Sequence, residues 1–203
     1  MTWVKICGLT TRDAVQAAVD GGADAVGLVL APGSPRMLTL DRAQELASNT
    51  AIATFIVTVD LSPEEALAAA EAVGAAGIQA HGDRSLDVAA EAIEAGYLSI
   101  APIPIGQHGP TSELHEVPDA SLPLFDASCA AHHGGTGITF DWSLISDQGR
   151  PYILAGGLGP DNVQEAIDTL HPFGVDASSR LESEPGVKDL TSIVDFIERA
   201  KRA

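Results

Sequence analysis

With 203 residues, a formal net charge of −17 and only 11 lysines and arginines, the chain lacks the clustered cations that nucleic acid or an anionic membrane demands, so both are set aside as partners. The 45% apolar and 4% aromatic shares are those of a globular protein packed helix on sheet, and the length suits one α/β barrel domain over residues 1–203. Two cysteines, Cys7 and Cys129, build no disulfide framework. No stretch approaches bilayer length and no cationic leader opens the chain, so a cytoplasmic location is expected.

In chain order, short aliphatic runs predict strands over Val4 to Cys7, Ala25 to Leu30, Ala51 to Val57, Gly77 to Ala80, Leu98 to Ala101, Leu122 to Ala127, Tyr152 to Ala155 and Gly174 to Ala177. Between them, apolar residues at helical spacing predict helices over Thr11 to Asp20, Leu40 to Ser48, Pro63 to Val73, Ser85 to Glu94, Pro160 to Thr169 and Leu190 to Lys201. Pro63 after Ser62 suits a first helical position, and Asp41, Glu64 and Glu65 suit the positive end of a helix dipole.

Such alternation predicts βαβ units and a parallel sheet. Eight units in 203 residues fall short of the roughly 250 residues typical of a (β/α)8 TIM barrel, so an element is missing. The gap falls between Ile105 and Ala120, where Gly106, Gly109, Pro110 and Pro118 break any helical period, and a loop is expected in place of the fifth helix. An open doubly wound sheet is the rival, but no early Gly-x-Gly-x-x-Gly fingerprint appears, and eight similar units favour closure.

In such a barrel the chemistry lies at the C-terminal ends of the strands. That filter selects Cys7 on the first strand, Arg36 in the loop after the second, Gln79 and His81 after the fourth, Asp126 on the sixth, and Asp176 with Ser178 on the eighth. Cys7 ends its apolar run directly before Gly8, where a thiol faces a ligand at the strand's mouth; the plainer reading is a small buried apolar residue. Asp126, flanked by Leu124, Phe125 and Ala127, is costly when charged, which suits a proton donor opposite a thiolate base. Its plainer reading is a buried carboxylate paired with Lys5 or Arg36.

Two glycine-rich turns, Gly134 to Gly137 and Ala155-Gly156-Gly157-Leu158, present backbone amides of the kind that cradle phosphate. The second, beside Ser178-Ser179, lies where such barrels bind phosphate. Arg36 in Ser34-Pro35-Arg36 is either a solvated charge or a bidentate carboxylate anchor. Cys129, His132, His133 and Asp126 lie close in sequence, but without paired Cys-x-x-Cys ligand spacing, so no metal is assigned.

Several segments together resemble the phosphoribosylanthranilate isomerase family of tryptophan biosynthesis. They are Lys5-Ile6-Cys7-Gly8-Leu9-Thr10, Ser34-Pro35-Arg36, Gln79-Ala80-His81-Gly82, Gly134-Gly135-Thr136-Gly137 with Phe140-Asp141-Trp142, Leu154 to Leu158 with Pro160, Asn162 and Val163, and Asp176 to Ser179 with Glu182, Pro185-Gly186 and Lys188-Asp189. The likeness spans nearly the whole chain.

The resemblance implies an aldose–ketose isomerase that performs an Amadori rearrangement on N-(5-phosphoribosyl)anthranilate, without cofactor or metal. It implies Asp126 as general acid, Cys7 as general base and Arg36 as carboxylate anchor. Gln79, His81 and Asp176 would touch the substrate, and Gly156, Gly157, Ser178 and Ser179 would hold its phosphate. The family continues Ser-Ser with glycine, whereas here Arg180 follows Ser179; Arg180 is expected to add a phosphate contact, and its backbone is either strained or at ordinary negative φ. The only partner expected is the small-molecule substrate, acting on a monomer, with a homodimer as the alternative. Competing functions are the histidine-pathway aldose–ketose isomerase, against which Cys7 in place of an aspartate argues, and a non-catalytic phosphate-binding barrel.

Overall fold

A computed structural model describes residues 1–106, 109–111, 114–126, 142–145 and 149–203. Eight parallel strands carry the barrel: β1 (Trp3–Cys7), β2 (Ala25–Val29), β3 (Ala53–Val59), β4 (Gly77–His81), β5 (Leu98–Gly106), β6 (Leu122–Asp126), β7 (Ile153–Ala155) and β8 (Gly174–Ala177). Each pairs with its neighbour in sequence, and β1 pairs with β8, so the sheet closes. The open-sheet alternative is thereby removed.

The helices are α1 (Arg12–Gly21), α2 (Leu40–Ser48), α3 (Pro63–Val73), α4 (Ser85–Glu94), α5 (Val163–Leu170) and α6 (Leu190–Arg202). Their starts follow from side chains that accept the unpaired amides of a first turn. Thr11 and Thr39 cap α1 and α2, Asp189 caps α6, and Ser62 with Glu65 forms a capping box ahead of Pro63. The fifth helix position holds a two-residue antiparallel return, Gly109–Pro110, and a 3-10 turn, Leu114–Glu116, because glycine and proline deny the segment a helical run. α5 begins at Val163, three residues beyond the expected Pro160, because Asn162 is spent bracing the preceding loop.

The register resolves the interior into layers. Climbing one residue at each step around the barrel returns Lys5 to itself after all eight strands, which is the shear of a TIM barrel. Alternate strands therefore share levels: Lys5, Phe55, Ile100 and Ile153 stand in one; Gly27, Gln79, Leu124 and Asp176 above it; then Cys7, Val57, Pro102 and Ala155; and at the top Val29, His81, Asp126 and Ser178. The lower levels form an apolar plug of Ala25, Phe55, Ile100, Leu124 and Ile153, with Trp3 edge-on to Phe55 at 6.5 Å between ring centres. The residues between them on each strand, such as Val4, Ile6, Val26, Leu28 and Val175, face outward and pack under the helices.

Candidate active site

The three uppermost levels, together with the loops after β7 and β8, surround a cavity of about 120 Å³. Its lining includes Cys7, Gln79, His81, Asp126, Gly156, Gly157, Asp176, Ser178 and Ser179, with Val57, Ala155, Leu158 and Ala177 as its apolar wall. Nine of the eleven sequence-selected residues thus converge on one space; Arg36 and Arg180 do not line it.

Cys7 is buried in an apolar patch with Val29, Ala31 and Val57. A Cβ on Gly27 would stand 2.8 Å from the Cys7 sulfur, so glycine on β2 makes the room that the thiol occupies. Burial pushes the thiol's pKa up, opposed by the Lys5 ammonium. Lys5 is wholly buried one inward position below Cys7, with its Nζ 2.8 Å from Asp176 Oδ2. Burial favours the neutral amine, but the Asp176 carboxylate and the Cys7 sulfur outweigh it, so Lys5 stays charged.

Gln79 and His81 point the same way from β4. The Gln79 amide Nε2 lies 2.9 Å from His81 Nε2; the amide nitrogen only donates, so the ring nitrogen accepts and the imidazole proton sits on Nδ1. Burial lowers the His81 pKa, against the opposing Asp126 carboxylate, and keeps the ring neutral. Gln79 Oε1 and Asp176 Oδ1 are buried with no hydrogen-bond partner among the described residues. Two unsatisfied acceptors beside a polar cavity are sites for a ligand's hydroxyl groups.

The loop after β7 turns through Gly156 and Gly157, at φ of +86° and +69°, a left-handed region that glycine enters without Cβ strain. Asn162 fastens this loop from both sides, accepting from the Gly159 amide at 2.8 Å and donating to the Gly157 carbonyl at 3.0 Å. After β8, Ser178 leads into a 3-10 turn, Ser179–Leu181. Lys188 Nζ donates to the Ser178 carbonyl at 2.9 Å and to its hydroxyl at 3.3 Å, which fixes the second loop.

Arg36 crosses the rim instead of entering the cavity. Its aliphatic stem fills the space over Gly8, where a Cβ would stand 2.4 Å from Arg36 Cδ. Glu182 holds the guanidinium in a fork, with Nε at 2.6 Å and Nη2 at 2.8 Å from its two oxygens. The same carboxylate accepts from Lys188 at 2.8 Å. Glu182 opens a hairpin of β9 (Glu182–Glu184) and β10 (Val187–Lys188), whose Gly186 turn packs on the Pro35 carbonyl. Arg36, Glu182, Lys188 and Ser178 therefore form one chain of contacts.

Arg180 differs from expectation. Its guanidinium donates to both Asp161 oxygens, at 2.8 and 2.7 Å, and to the Gly157 carbonyl at 3.3 Å. It grips the glycine turn from outside the cavity. Asp60 and His171 are the only non-glycine residues with positive φ among those described, so Arg180 takes an ordinary backbone without strain. Lys5 and Arg36, the cations that the plainer reading offered Asp126, are held by Asp176 and Glu182. Gly134 to Gly137 and the set Cys129, His132 and His133 lie outside the described residues.

Sequence reasoning did not select Lys5, Glu182 or Lys188 as site residues. Only Lys5 carried a local signal, its position two residues before Cys7 on the same face of a strand.

The family described as N-(5'phosphoribosyl)anthranilate (PRA) isomerase matches residues 4–199. A Rubrobacter xylanophilus protein named N-(5'-phosphoribosyl)anthranilate isomerase is 38% identical over 205 residues, covering 99% of this chain and 100% of the relative. The crystal structure of phosphoribosyl anthranilate isomerase from Thermotoga maritima superposes with a TM-score of 0.85 at 35% identity, covering both chains fully. A crystal structure of such an isomerase in complex with reduced 1-(o-carboxyphenylamino)-1-deoxyribulose 5-phosphate gives 0.82 at 34%, again over both full chains.

Proposed function

The chain belongs to the N-(5'-phosphoribosyl)anthranilate isomerase family, and on that premise we propose how its cavity performs the reaction. The protein is an aldose–ketose isomerase of tryptophan biosynthesis that converts N-(5'-phosphoribosyl)anthranilate to 1-(2-carboxyphenylamino)-1-deoxyribulose 5-phosphate. The assignment of roles rests above all on one observation: Cys7 and Asp126 rise from separate strands to line one cavity that sits on the apolar plug.

In the first step Asp126 gives a proton to the furanose ring oxygen. The C1–O bond breaks and the anthranilate nitrogen lone pair forms a C1–N double bond, leaving an open-chain Schiff-base cation. In the second step the Cys7 thiolate takes the proton from C2; the released electron pair forms the C1–C2 double bond and neutralises the nitrogen. The resulting enolamine tautomerises to the C2 ketone. C2 is oxidised and C1 reduced within one molecule, so the rearrangement balances internally. General acid and base of this kind each contribute roughly 10²–10⁴-fold in rate.

Position comes from the substrate's two ends. The amides of Gly156, Gly157, Ser178 and Ser179 receive the phosphate, which lets a chain of −17 bind a dianion through oriented backbone dipoles. Arg36 at the rim receives the anthranilate carboxylate, sharing its donors with Glu182. Gln79 Oε1 and Asp176 Oδ1 accept the sugar hydroxyls, and neutral His81 lines the space between. We assign these roles to a single-domain monomer in the cytoplasm, with a homodimer as the alternative.

The test is loss of phosphoribosylanthranilate fluorescence on incubation with the purified protein. Cys7→Ala and Asp126→Ala should each lower turnover by about a thousandfold with the thermal midpoint retained; full turnover in either removes the assigned base or acid.

A further inference from the structure

Lys5 is out of place. Its level of the barrel is otherwise Phe55, Ile100 and Ile153, all within the apolar plug, and Lys5 itself is wholly buried. Burying an ion pair there gives the fold nothing that a well-packed apolar side chain would not give, because desolvating the two charges consumes the Coulomb gain. The pair's position is more telling. Lys5, Asp176 and Cys7 occupy three successive levels of the barrel, and Lys5 and Cys7 project from the same face of the same strand. Asp176 spends one oxygen on Lys5 at 2.8 Å and leaves the other unpartnered in the cavity wall.

We propose that Lys5, held by Asp176, is a positioning residue that supplies the counter-charge on which the Cys7 thiolate forms. This rests on the reading of Cys7 as the base. Among the described residues the charged groups facing the thiol are Lys5 from its own strand, Asp176 from β8 and Lys188 from β10, with His81 and Asp126 across the cavity. Gly27, Val29, Ala31 and Val57 also pack around it and carry no charge. Among the cations, Lys5 exerts the larger pull on the thiol, and Lys188 shares its charge with Glu182. Burial alone keeps the sulfur protonated at neutral pH; a fixed ammonium beneath it reverses part of that cost without occupying the space where substrate must sit. Asp176 fastens the ammonium with one carboxylate oxygen.

The experiment measures the rate at which iodoacetamide alkylates Cys7 between pH 6 and 10, followed at the Cys7 peptide by mass spectrometry, together with the pH profile of kcat/KM. Wild-type protein, Lys5→Met and Lys5→Arg are compared. In Lys5→Met the alkylation midpoint and the acidic limb of kcat/KM should both move up by at least one pH unit, a tenfold loss of thiolate at a given pH, and Lys5→Arg should restore most of it. Because Lys5→Met leaves Asp176 buried without its partner and endangers folding, the neutral pair Lys5→Met with Asp176→Asn is measured alongside. It should show the same direction of shift, reduced because the carboxylate that opposed the ammonium is gone as well. An unmoved midpoint and an unmoved limb in a folded variant overturn the proposal. Full turnover by Cys7→Ala would instead overturn the assignment of the base, whatever Lys5 does.

Discussion

The floor and the mouth of the barrel are built on the same strands and the same alternation, yet they are made of opposite materials. Below, Ala25, Phe55, Ile100, Leu124 and Ile153 leave no unsatisfied polar atom, and Trp3 closes the end against Phe55 and Phe173. From the level of Leu124 upward, Gln79 and Asp176 keep buried acceptors without partners among the described residues, and the Asp126 charge acts on His81. The contrast separates two uses of one inward-facing surface. The floor lowers the free energy of the fold, and the mouth holds polar groups in a state that only a ligand completes.

The sharpest way to break this separation is to exchange the expected losses. Phe55→Ala removes a ring buried to 3% exposure from the plug and should cost about 3–5 kcal/mol of stability, measured by urea unfolding, while kcat of the folded fraction changes less than threefold. Asp126→Ala should do the reverse. If Phe55→Ala abolished kcat in protein shown to be folded, floor and mouth would be one cooperative unit and the division would fail.

A second prediction concerns the rim. Glu182 is held below the usual carboxylate range: burial raises it, but the hydrogen bonds from Arg36 and Lys188 outweigh that. Glu182→Gln keeps the size and loses the charge that orients both cations. A hydrogen bond to a charged group contributes about 1.5–3 kcal/mol, so KM should rise at least tenfold with little change in kcat. Steady-state kinetics at pH 7 decides it; an unchanged KM would mean that Arg36 needs no carboxylate to hold it, and that the rim is independent of the hairpin. The sign with pH follows from the depressed pKa. The anchoring is intact above the ordinary glutamate range and is lost only as pH falls through the lower value in the fold, so KM should rise on the acid side alone.

The third prediction is smaller. Because burial lowers the His81 pKa, the ring stays neutral above its ordinary value near 6.5, and kcat/KM should show no limb belonging to it between pH 6.5 and 8. A limb there that disappears in His81→Gln would show that the ring charges during turnover, and the mouth would then hold a second proton-transfer group.

Much of this division was legible in the chain because local pattern and tertiary role coincide. The eight strands and their polar ends follow from aliphatic runs, and residues that break such a run at a C-terminal end, Cys7, Gln79, Asp126 and Asp176, do so because the mouth needs them. β3 runs to Val59 and β5 to Gly106, past Val57 and Ala101 where the sequence reading ended them, since neighbouring strands extend the ladder beyond what a short aliphatic run signals. Charge pairing was not legible. Lys5 finds its carboxylate 171 residues away and Arg36 finds Glu182 146 residues away, separations set by closure of the barrel and by a two-strand hairpin that no periodicity announces. A lysine inside a strand of this kind reads as a solvated or misplaced charge until the register shows which level it occupies.

Arg180 provides the finest test, because it stands where direct contact and indirect support predict different numbers. Its guanidinium closes on Asp161 in an exposed pair, 29% and 64% accessible at the two side chains, of the kind that contributes at most about 1 kcal/mol. Its remaining bond, to the Gly157 carbonyl, fixes a peptide of the glycine turn that lines the cavity. Support of that sort is shared with Asn162, which fastens the same carbonyl. Arg180→Gly should therefore raise KM by no more than about threefold, within the 1 kcal/mol of such a pair, and should leave the affinity for inorganic phosphate nearly unchanged. A tenfold rise in both, with Asp161→Asn silent, would mean that the guanidinium leaves Asp161 to meet the phosphate. The mouth would then use a side-chain charge at the end where the proposed mechanism relies on backbone amides alone.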